Sequence, residues 1–239
     1  MKRAKKSLSQ NFIVDKNICK KIVNQTKIKN QIVLEIGPGY GFLTDIILDQ
    51  KPKKLYLIEK DTYLKEKLQI KYKNKLNVFI QNEDILKYNL INYKNLIVVS
   101  NLPYNVSTKI IMYLFEFNKN IHEMVFMIQK EVALKFDYNL PKMNKYKFLT
   151  KIVSKYERCF EVSPKVFVPK PKIKSTVVKF EFKKSCYDLM KAKNFSKDIF
   201  KNVRKKISNN IKHKNNNVLL NKRVDELSVN ELLRIYNIF

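Results

Sequence analysis

Short apolar runs rich in β-branched residues alternate along the chain with segments whose apolar residues have helical spacing. The runs that predict buried strands are residues 31–36, 55–58, 78–80, 96–100 and 125–128. Between them, residues 42–48 and 62–69 have the periodicity of helices that bury one face. Because strands and helices alternate, we expect an α/β fold with a mostly parallel sheet covered on both faces.

The last third of the chain has a different pattern. Residues 159–163 and 177–182 predict a hairpin joined by a proline-bearing loop. Beyond about Lys184, apolar residues recur at a spacing of four, which is typical of an amphipathic helix; they are Phe195, Ile199, Val203, Ile207 and Ile211. A second helix is predicted over residues 228–236, where Ser228 and Glu231 have the spacing of a capping box. We therefore expect a first domain over residues 1–184 and a small helical C-terminal domain over residues 185–239.

The net charge of the chain predicts a polyanionic partner. The 239 residues include 49 Lys and Arg against 21 Asp and Glu, a formal net charge of +28. Such a field attracts polyanions, with nucleic acid first and an anionic membrane surface second, although a composition rich in Lys, Asn and Ile can also come from an AT-rich genome. Residues 191–214 hold nine Lys or Arg and one Asp, so this segment is either an RNA-contacting face or a solvated helix face.

Several classes of protein do not fit the sequence. The three cysteines form no CxxC pair and the two histidines lie far apart: Cys19, Cys159, Cys186, His122 and His213. We therefore expect neither a disulfide framework nor a metal site. No apolar run approaches the roughly 20 residues of a membrane span, and no apolar segment of a secretory signal follows the basic N-terminus. We expect a cytoplasmic protein, with a short organellar targeting segment as the alternative.

All three glycines of the chain fall within five residues, as Gly37, Gly39 and Gly41. They follow a predicted strand and precede a predicted helix, where glycine permits positive φ and lets a ligand approach the backbone. A plain tight turn would need only one glycine. The dinucleotide fingerprint GxGxxG would require a glycine at Phe42, and this chain has GxGxG instead. The turn predicts a nucleotide-type ligand, with nicotinamide dinucleotide as one candidate.

Two acidic residues extend the ligand site. Glu59 ends the second predicted strand about 20 positions after the glycines, where a carboxylate can accept hydrogen bonds from ribose hydroxyls. Asp84 follows the third strand and suits an adenine amine. Together with the pattern Glu35-x-Gly-x-Gly, these residues resemble the S-adenosylmethionine site of class I methyltransferases, and nicotinamide dinucleotide becomes the second choice.

The tetrapeptide Asn101-Leu102-Pro103-Tyr104 follows the fourth predicted strand, whose end faces the ligand crevice in such sheets. The side-chain carbonyl of Asn101 and the backbone carbonyl of Leu102 could accept both hydrogens of an exocyclic amine. Such contacts would aim the nitrogen lone pair at a methyl donor. Pro103 stiffens the turn and Tyr104 offers a ring on which a base can stack. The tetrapeptide therefore predicts a site for methyl transfer to an amine.

These motifs, in this order over nearly the whole chain, resemble the ribosomal RNA adenine dimethyltransferase family, especially its KsgA branch, with the Erm resistance methyltransferases as close relatives. The matching blocks are SQNFIVD, EIGPGYGFLT, IEKD, NEDIL, SNLPYNVST, MIQKEVA, FVPKPKIKSTVV and DELSVNELLRIYNI. The resemblance implies a class I, Rossmann-like methyltransferase sheet with a small helical C-terminal domain. It also implies S-adenosylmethionine as cofactor and small-subunit rRNA, in the immature small ribosomal subunit, as partner.

The resemblance further implies that two adjacent adenosines near the 3′ end of small-subunit rRNA are dimethylated on their exocyclic amines by a monomer. On the family pattern, Asn11 and Ile13 help to close the cofactor site alongside Gly37, Glu59, Asp84 and Asn101. The same pattern makes Phe167 a candidate to cover the target base on the face opposite Tyr104. A phenylalanine that packs in the core is the alternative for Phe167.

Other activities on the same fold stay open. An Erm-type methylation of large-subunit rRNA would share every catalytic residue. A non-catalytic ribosome-assembly or mitochondrial transcription factor is disfavoured because Asn101 and the glycine turn are both present. A DNA adenine methyltransferase is disfavoured because the chain has no separate target-recognition domain. One departure from the family, Lys147 where a Tyr-Gly-x-Leu-Ser-like stretch is usual, puts the details of RNA docking in doubt.

Overall fold

The computed structural model describes residues 11–183, 187–211 and 218–239. The chain forms two compact units, one of Met1–Ala133 with Glu157–Phe182 and the other of Leu134–Tyr156 with Lys183–Phe239. The expected boundary near Lys184 lies outside the described residues. The second unit contains residues 134–156, which the sequence assigns to the first domain.

The first unit is built on a seven-stranded sheet and a separate two-stranded one. In chain order, the strands are β1 (Phe12–Ile13), β2 (Ile32–Ile36), β3 (Lys54–Ile58), β4 (Val78–Gln81), β5 (Leu96–Asn101), β6 (Ile121–Gln129), β7 (Ser154–Val162), β8 (Phe167–Val168) and β9 (Ser175–Phe182). The helices of the chain are α1 (Lys16–Val23), α2 (Phe42–Asp49), α3 (Thr62–Lys71), α4 (Ser107–Leu114), α5 (Lys130–Phe136), α6 (Lys145–Val153), α7 (Leu189–Ile199) and α8 (Val229–Asn237).

The large sheet has the strand order β4-β3-β2-β5-β6-β9-β7. The pairs from β4 to β6 are parallel, whereas β9 runs antiparallel to β6. Since β2 pairs with β3 on one side and β5 on the other, the connections diverge at β2 and leave a crevice at the carboxyl ends of these strands. The predicted parallel strands and the neighbouring β7 and β9 are confirmed.

The central strand β5 forms because its side chains are buried on both faces. In β5, the residues from Leu96 to Ser100 are all at most 2% exposed, which suits a run of β-branched residues in a parallel sheet. Helix α1 begins at the N-cap Asp15, whose side chain accepts hydrogen bonds from the backbone N–H of Asn17 at 2.8 Å and of Ile18 at 3.1 Å. The small sheet pairs β1 with β8, so that Ile13 lies opposite Phe167.

The second unit is held together by aromatic packing. The ring of Phe148 on α6 lies 5.4 Å from that of Phe195 on α7 and 5.6 Å from that of Tyr236 on α8, measured between centroids. This cluster explains why residues 134–156 belong with the C-terminal segment. Helix α8 begins with the predicted capping box, in which Ser228 and Glu231 bond each other's backbone N–H.

The prediction of one amphipathic helix running on to Ile211 is wrong. Helix α7 ends at Ile199, Val203 is 38% exposed, and Ile207 begins a short 3-10 helix. The side-chain amide of Asn210 donates to the carbonyl oxygens of Ile199 at 3.0 Å and Asn202 at 3.1 Å, which stabilises the turn after the helix. A helix followed by a folded turn therefore buries four of the five apolar residues whose spacing predicts one long helix. Residues 212–214 of the basic stretch lie outside the described segments.

Candidate active site

A cavity opens at the carboxyl ends of β2, β3 and β5, bordered by β1 and by the segment after β4. Ten of the residues predicted for the site line it: Asn11, Ile13, Gly37, Gly39, Glu59, Asp84, Asn101, Leu102, Pro103 and Tyr104. Two others, Gly41 and Phe167, are not part of its lining. Ligands of open α/β sheets bind at the carboxyl ends of the strands, and here that edge brings Asn101 to Asn11, 90 residues earlier in the sequence.

The glycine turn supplies a backbone wall of the cavity. Gly37, Gly39 and Gly41 have φ values of +62°, +61° and +80°, a region that L side chains rarely adopt. A Cβ atom at Gly37 would meet no atom within 4 Å, so the turn leaves open space there. A Cβ atom at Gly39 would lie 2.8 Å from the ring of Phe12, so this glycine is required for the close approach of β1.

Glu59 is the acidic group at the end of β3 and is 6% exposed. Its Oε2 accepts a hydrogen bond from the Gly39 N–H at 3.1 Å and its Oε1 accepts one from the Asp61 N–H at 2.9 Å. Burial raises the pKa of Glu59, and the backbone hydrogen bonds oppose that rise. Each carboxylate oxygen can accept a further bond, so Glu59 can serve hydroxyl donors of a ligand.

Asp84 lines the same cavity, in the segment after β4. Its Oδ2 is 2.8 Å from the Lys60 ammonium and its Oδ1 accepts from the Leu86 N–H at 3.0 Å. Burial acts to raise the pKa of Asp84, but the hydrogen bonds from Lys60 and Leu86 outweigh it and the pKa is lowered. The group is thus a carboxylate that can accept a hydrogen bond from an amine.

Asn101 ends β5 with its amide fixed in one orientation. Its Nδ2 donates to the carbonyl oxygen of Asn11 at 2.9 Å. Its Oδ1 is buried and has no hydrogen-bond partner within residues 11–183, 187–211 and 218–239. The next peptide is fixed as well, since the Leu102 N–H donates to Met127 at 3.1 Å. A buried carbonyl oxygen without a donor destabilises the free protein, and a ligand that donates a hydrogen bond removes this cost. This corner of the cavity therefore suits an amine.

Tyr104 lines the cavity beside Asn101, and its hydroxyl lies 2.6 Å from the Ser175 Oγ. Burial raises the pKa of Tyr104, which therefore stays neutral at ordinary pH, while the Ser175 hydrogen bond acts in the other direction. The phenol is thus tethered at its tip, and its ring is held at the cavity.

The structure does not bring Phe167 to the cavity as the second face of a base clamp. Its side chain is 3% exposed and belongs to the main hydrophobic core. Its ring lies edge-on to Tyr104, with 6.5 Å between centroids and 74° between planes. The cause is the pairing of β8 with β1, which places Phe167 opposite Ile13 and turns it inward. The described geometry favours the core-packing alternative.

Further residues line the cavity beside the predicted ones, among them Phe12, Tyr40 and Glu35 of the Glu35-x-Gly-x-Gly pattern. The rings of Phe12 and Tyr40 meet edge to face at 4.9 Å, on the side of the turn next to β1. Glu35 is 2% exposed and its Oε2 accepts from the Thr44 hydroxyl at 2.6 Å. Burial raises the pKa of Glu35 to about 8, and the Thr44 bond lowers it in part. The pattern Glu35-x-Gly-x-Gly identifies Glu35 in the sequence. Its burial, which raises its pKa, results from the packing of the sheet and could not be predicted from the pattern.

The described segments contain neither a candidate metal site nor a candidate membrane-spanning helix. Within the described segments, no group of three or more His, Cys, Asp or Glu side chains could hold a metal ion. None of the helices there has the length and apolarity to cross a bilayer. Cys19 and Cys159 are free thiols whose pKa values are raised by burial to about 12 and about 11. Cys186 and His213 fall outside the described residues.

Comparison with known families decides the identity. The sequence model of the family Ribosomal RNA adenine dimethylase matches residues 1–239. The chain belongs to this family. Among curated members, the Ribosomal RNA small subunit methyltransferase A of Pelagibacter ubique is 39% identical over 202 residues, 82% of this chain and 76% of that protein. The protein of the same name from Hydrogenobaculum is 35% identical over 243 residues, 99% of this chain and 94% of that protein.

Solved structures agree with the fold of an adenine dimethylase. The 23S rRNA methyltransferase ErmE superimposes with a TM-score of 0.81 at 20% identity, covering 95% of this chain and 98% of ErmE. A dimethyladenosine transferase from Plasmodium falciparum gives a TM-score of 0.78 at 22% identity, covering 94% and 95%. These likenesses confirm the class I methyltransferase fold, and the family makes the chain an rRNA adenine dimethylase that requires a methyl donor.

The protonation of Glu35 generates a testable pH dependence. Because its pKa is about 8 in the folded chain and 4.5 ordinarily, the folded state holds a proton that the unfolded state releases. Its contribution to stability is full below about pH 4.5 and is lost as the pH rises through about 8. We expect Glu35→Gln to reduce the fall in unfolding free energy between about pH 6 and about pH 8 by roughly 1–2 kcal/mol, measured by urea unfolding.

The control for this prediction is Glu231→Gln. The pKa of Glu231 is lowered to about 2, first by the backbone hydrogen bond of Ser228, so its contribution is lost only as the pH falls from about 4.5 toward 2. This variant should keep the wild-type pH dependence between about pH 6 and about pH 8. A Glu35→Gln variant with the wild-type pH dependence would show that Glu35 is already ionised in the folded chain.

Proposed function

We propose that this adenine dimethylase transfers methyl groups from S-adenosylmethionine to the exocyclic amines of two adjacent adenosines near the 3′ end of small-subunit rRNA. The observation that carries the proposal is the buried Oδ1 of Asn101, which has no hydrogen-bond partner among the described residues and lies in the cavity that the glycine turn also lines. The names of the curated relatives support the small subunit as the source of the substrate.

The cavity residues fit the adenosyl cofactor. The space in front of Gly37 leaves room for a ligand against the backbone, Glu59 would accept ribose hydroxyls, and Asp84 would accept the adenine amine. Asn11 and Ile13 would border the same site from β1. When bound, S-adenosylmethionine supplies an electrophilic methyl group on a sulfonium.

The acceptor amine would be held by two carbonyl oxygens, the Asn101 Oδ1 and the Leu102 backbone oxygen. An aromatic amine is a poor nucleophile because its lone pair is delocalised into the ring. Accepting both amine hydrogens draws the nitrogen toward pyramidal geometry and directs the lone pair at the methyl group. The buried position strengthens these contacts, since water does not compete there. The amine proton can leave after the displacement, so no general base is required beforehand.

The target adenosine has to leave its stack to reach this corner, which costs a few kcal/mol. Tyr104 would recover part of that cost by stacking on the flipped base, worth roughly 1–3 kcal/mol. Its tether to Ser175 holds the ring ready at the cavity. Because Phe167 packs in the core, the stacking contact rests on one ring in this geometry.

An Erm-type activity on large-subunit rRNA is the second candidate, because its catalytic groups would be the same. The likeness to ErmE is a likeness of fold at 20% identity, whereas relatives named for the small subunit include one that is 42% identical. The small subunit is therefore the better-supported substrate.

The cofactor assignment predicts the effect of two variants. Glu59→Ala and Asp84→Ala should each weaken binding of S-adenosylmethionine about 10–150-fold, since a hydrogen bond to a charged group is worth roughly 1.5–3 kcal/mol. Isothermal titration calorimetry measures the affinity, and circular dichroism checks that the variants are folded. Unchanged affinity in both variants would refute the cofactor-site assignment.

The substrate assignment is tested by mapping dimethyladenosine on both ribosomal RNAs from cells with and without this gene. Primer extension or mass spectrometry should find two adjacent dimethyladenosines near the 3′ end of small-subunit rRNA that disappear when the gene is deleted. Loss of methylation on large-subunit rRNA instead would establish the Erm-type activity, and unchanged methylation of both RNAs would contradict both candidates.

A further inference from the structure

The glycine turn is also held from the side away from the cavity. The holding residues are Lys71, the last residue of α3, and Tyr72, which caps that helix. Neither residue lines the cavity, whereas Gly39, Tyr40 and Phe42 of the turn do. Lys71 and Tyr72 thus act on a ligand indirectly, through the turn whose backbone they bond.

Tyr72 contacts both the turn and the helix that follows it. Its hydroxyl lies 3.0 Å from the carbonyl oxygen of Gly41 and 2.7 Å from the Oδ1 of Asp45 in the first turn of α2. The residue is 6% exposed, and a Cβ atom at Gly41 would collide with its hydroxyl. Burial first, and then the Asp45 hydrogen bond, raises the pKa of Tyr72, so the phenol remains a donor.

Lys71 bonds three acceptors of the same segment. Its ammonium lies 3.2 Å from the carbonyl oxygen of Tyr40, 3.4 Å from that of Gly41 and 2.7 Å from the Oδ2 of Asp45. An ammonium has three protons, one for each of these acceptors on the turn and its helix. The carbonyls of Tyr40 and Gly41 are therefore oriented toward α3.

The front of the turn is fixed by other groups. The Gly39 N–H donates to Glu59, and the ring of Phe12 lies against both Gly39 and Tyr40. With α3 holding the back, the Tyr40–Gly41 peptide cannot rotate without breaking hydrogen bonds on one side. A glycine-rich segment gains much conformational freedom when it is released, and a ligand would have to order it again.

We propose that Lys71 and Tyr72 are positioning residues for the cofactor-binding turn and that they set the affinity for the adenosyl cofactor without touching it. This inference rests on the proposed function, because it assumes that the cavity takes S-adenosylmethionine. It assigns a role to two side chains that belong to no recognised motif of the sequence.

The test compares Tyr72→Phe and Lys71→Met with the wild-type chain. Titration calorimetry with S-adenosylhomocysteine should give dissociation constants roughly 3–10-fold higher for each variant, as expected for the loss of one or two hydrogen bonds. In methylation assays, KM for S-adenosylmethionine should rise by a similar factor. Because the acceptor groups at Asn101 are untouched, kcat and KM for RNA should stay within about 2-fold of wild type.

The matched controls are Tyr63→Phe and Lys67→Met, which change the same residue types on the same helix. Lys67 lies over the ring of Tyr63, 5.6 Å from its centroid, near the start of α3. These variants should bind S-adenosylhomocysteine like the wild-type chain. The partly exposed Lys71→Met keeps the test decisive if Tyr72→Phe folds poorly.

Two results would overturn the inference. If both variants bind S-adenosylhomocysteine as tightly as the controls, with or without a lower melting temperature, the contacts only stabilise the fold. If kcat falls while cofactor affinity is unchanged, the residues act on another step. A wild-type chain that binds no S-adenosylhomocysteine would instead refute the proposed function, and the inference with it.

Discussion

The candidate site depends on one hydrogen bond, from the Asn101 Nδ2 to the carbonyl oxygen of Asn11. An amide can present either its oxygen or its nitrogen to a ligand, and this bond determines which. Because the nitrogen is used by β1, the oxygen stays buried without a donor in the described part of the chain. A site that leaves an acceptor unsatisfied in its free state selects a ligand with amine hydrogens.

The same bond connects the corner proposed for the acceptor amine to the wall proposed for the cofactor. Asn11 precedes β1, whose Phe12 packs on Gly39 of the glycine turn. Hydrogen bonds between the turn and Glu59 on its cavity side, and between the turn and Lys71 and Tyr72 on its α3 side, hold this segment in place. The walls proposed for methyl donor and acceptor are thus linked by one set of contacts, as an in-line transfer between two bound groups would require.

Features set by local pattern could be predicted from the sequence, and features set by long-range packing could not. The parallel strands, the glycine turn and the capping box at Ser228 follow from residue periodicity and short motifs. The burial of Phe167 follows from β8 pairing with a strand about 155 residues earlier. The end of α7 at Ile199 was missed because a folded turn satisfies the same apolar spacing. Lys71 and Tyr72 belong to no motif, and only the packing of α3 reveals them.

The measurement that tests this account most directly is the single-turnover rate of methyl transfer by Asn101→Ala at saturating S-adenosylmethionine and RNA. Removing an oxygen that acts on the reacting amine should lower the rate about 100-fold or more. Because the variant also loses the Nδ2 bond to Asn11, binding of S-adenosylhomocysteine and RNA is measured in parallel, so that the rates are compared with both ligands bound. A rate within about 3-fold of wild type would contradict the central role of the Asn101 oxygen.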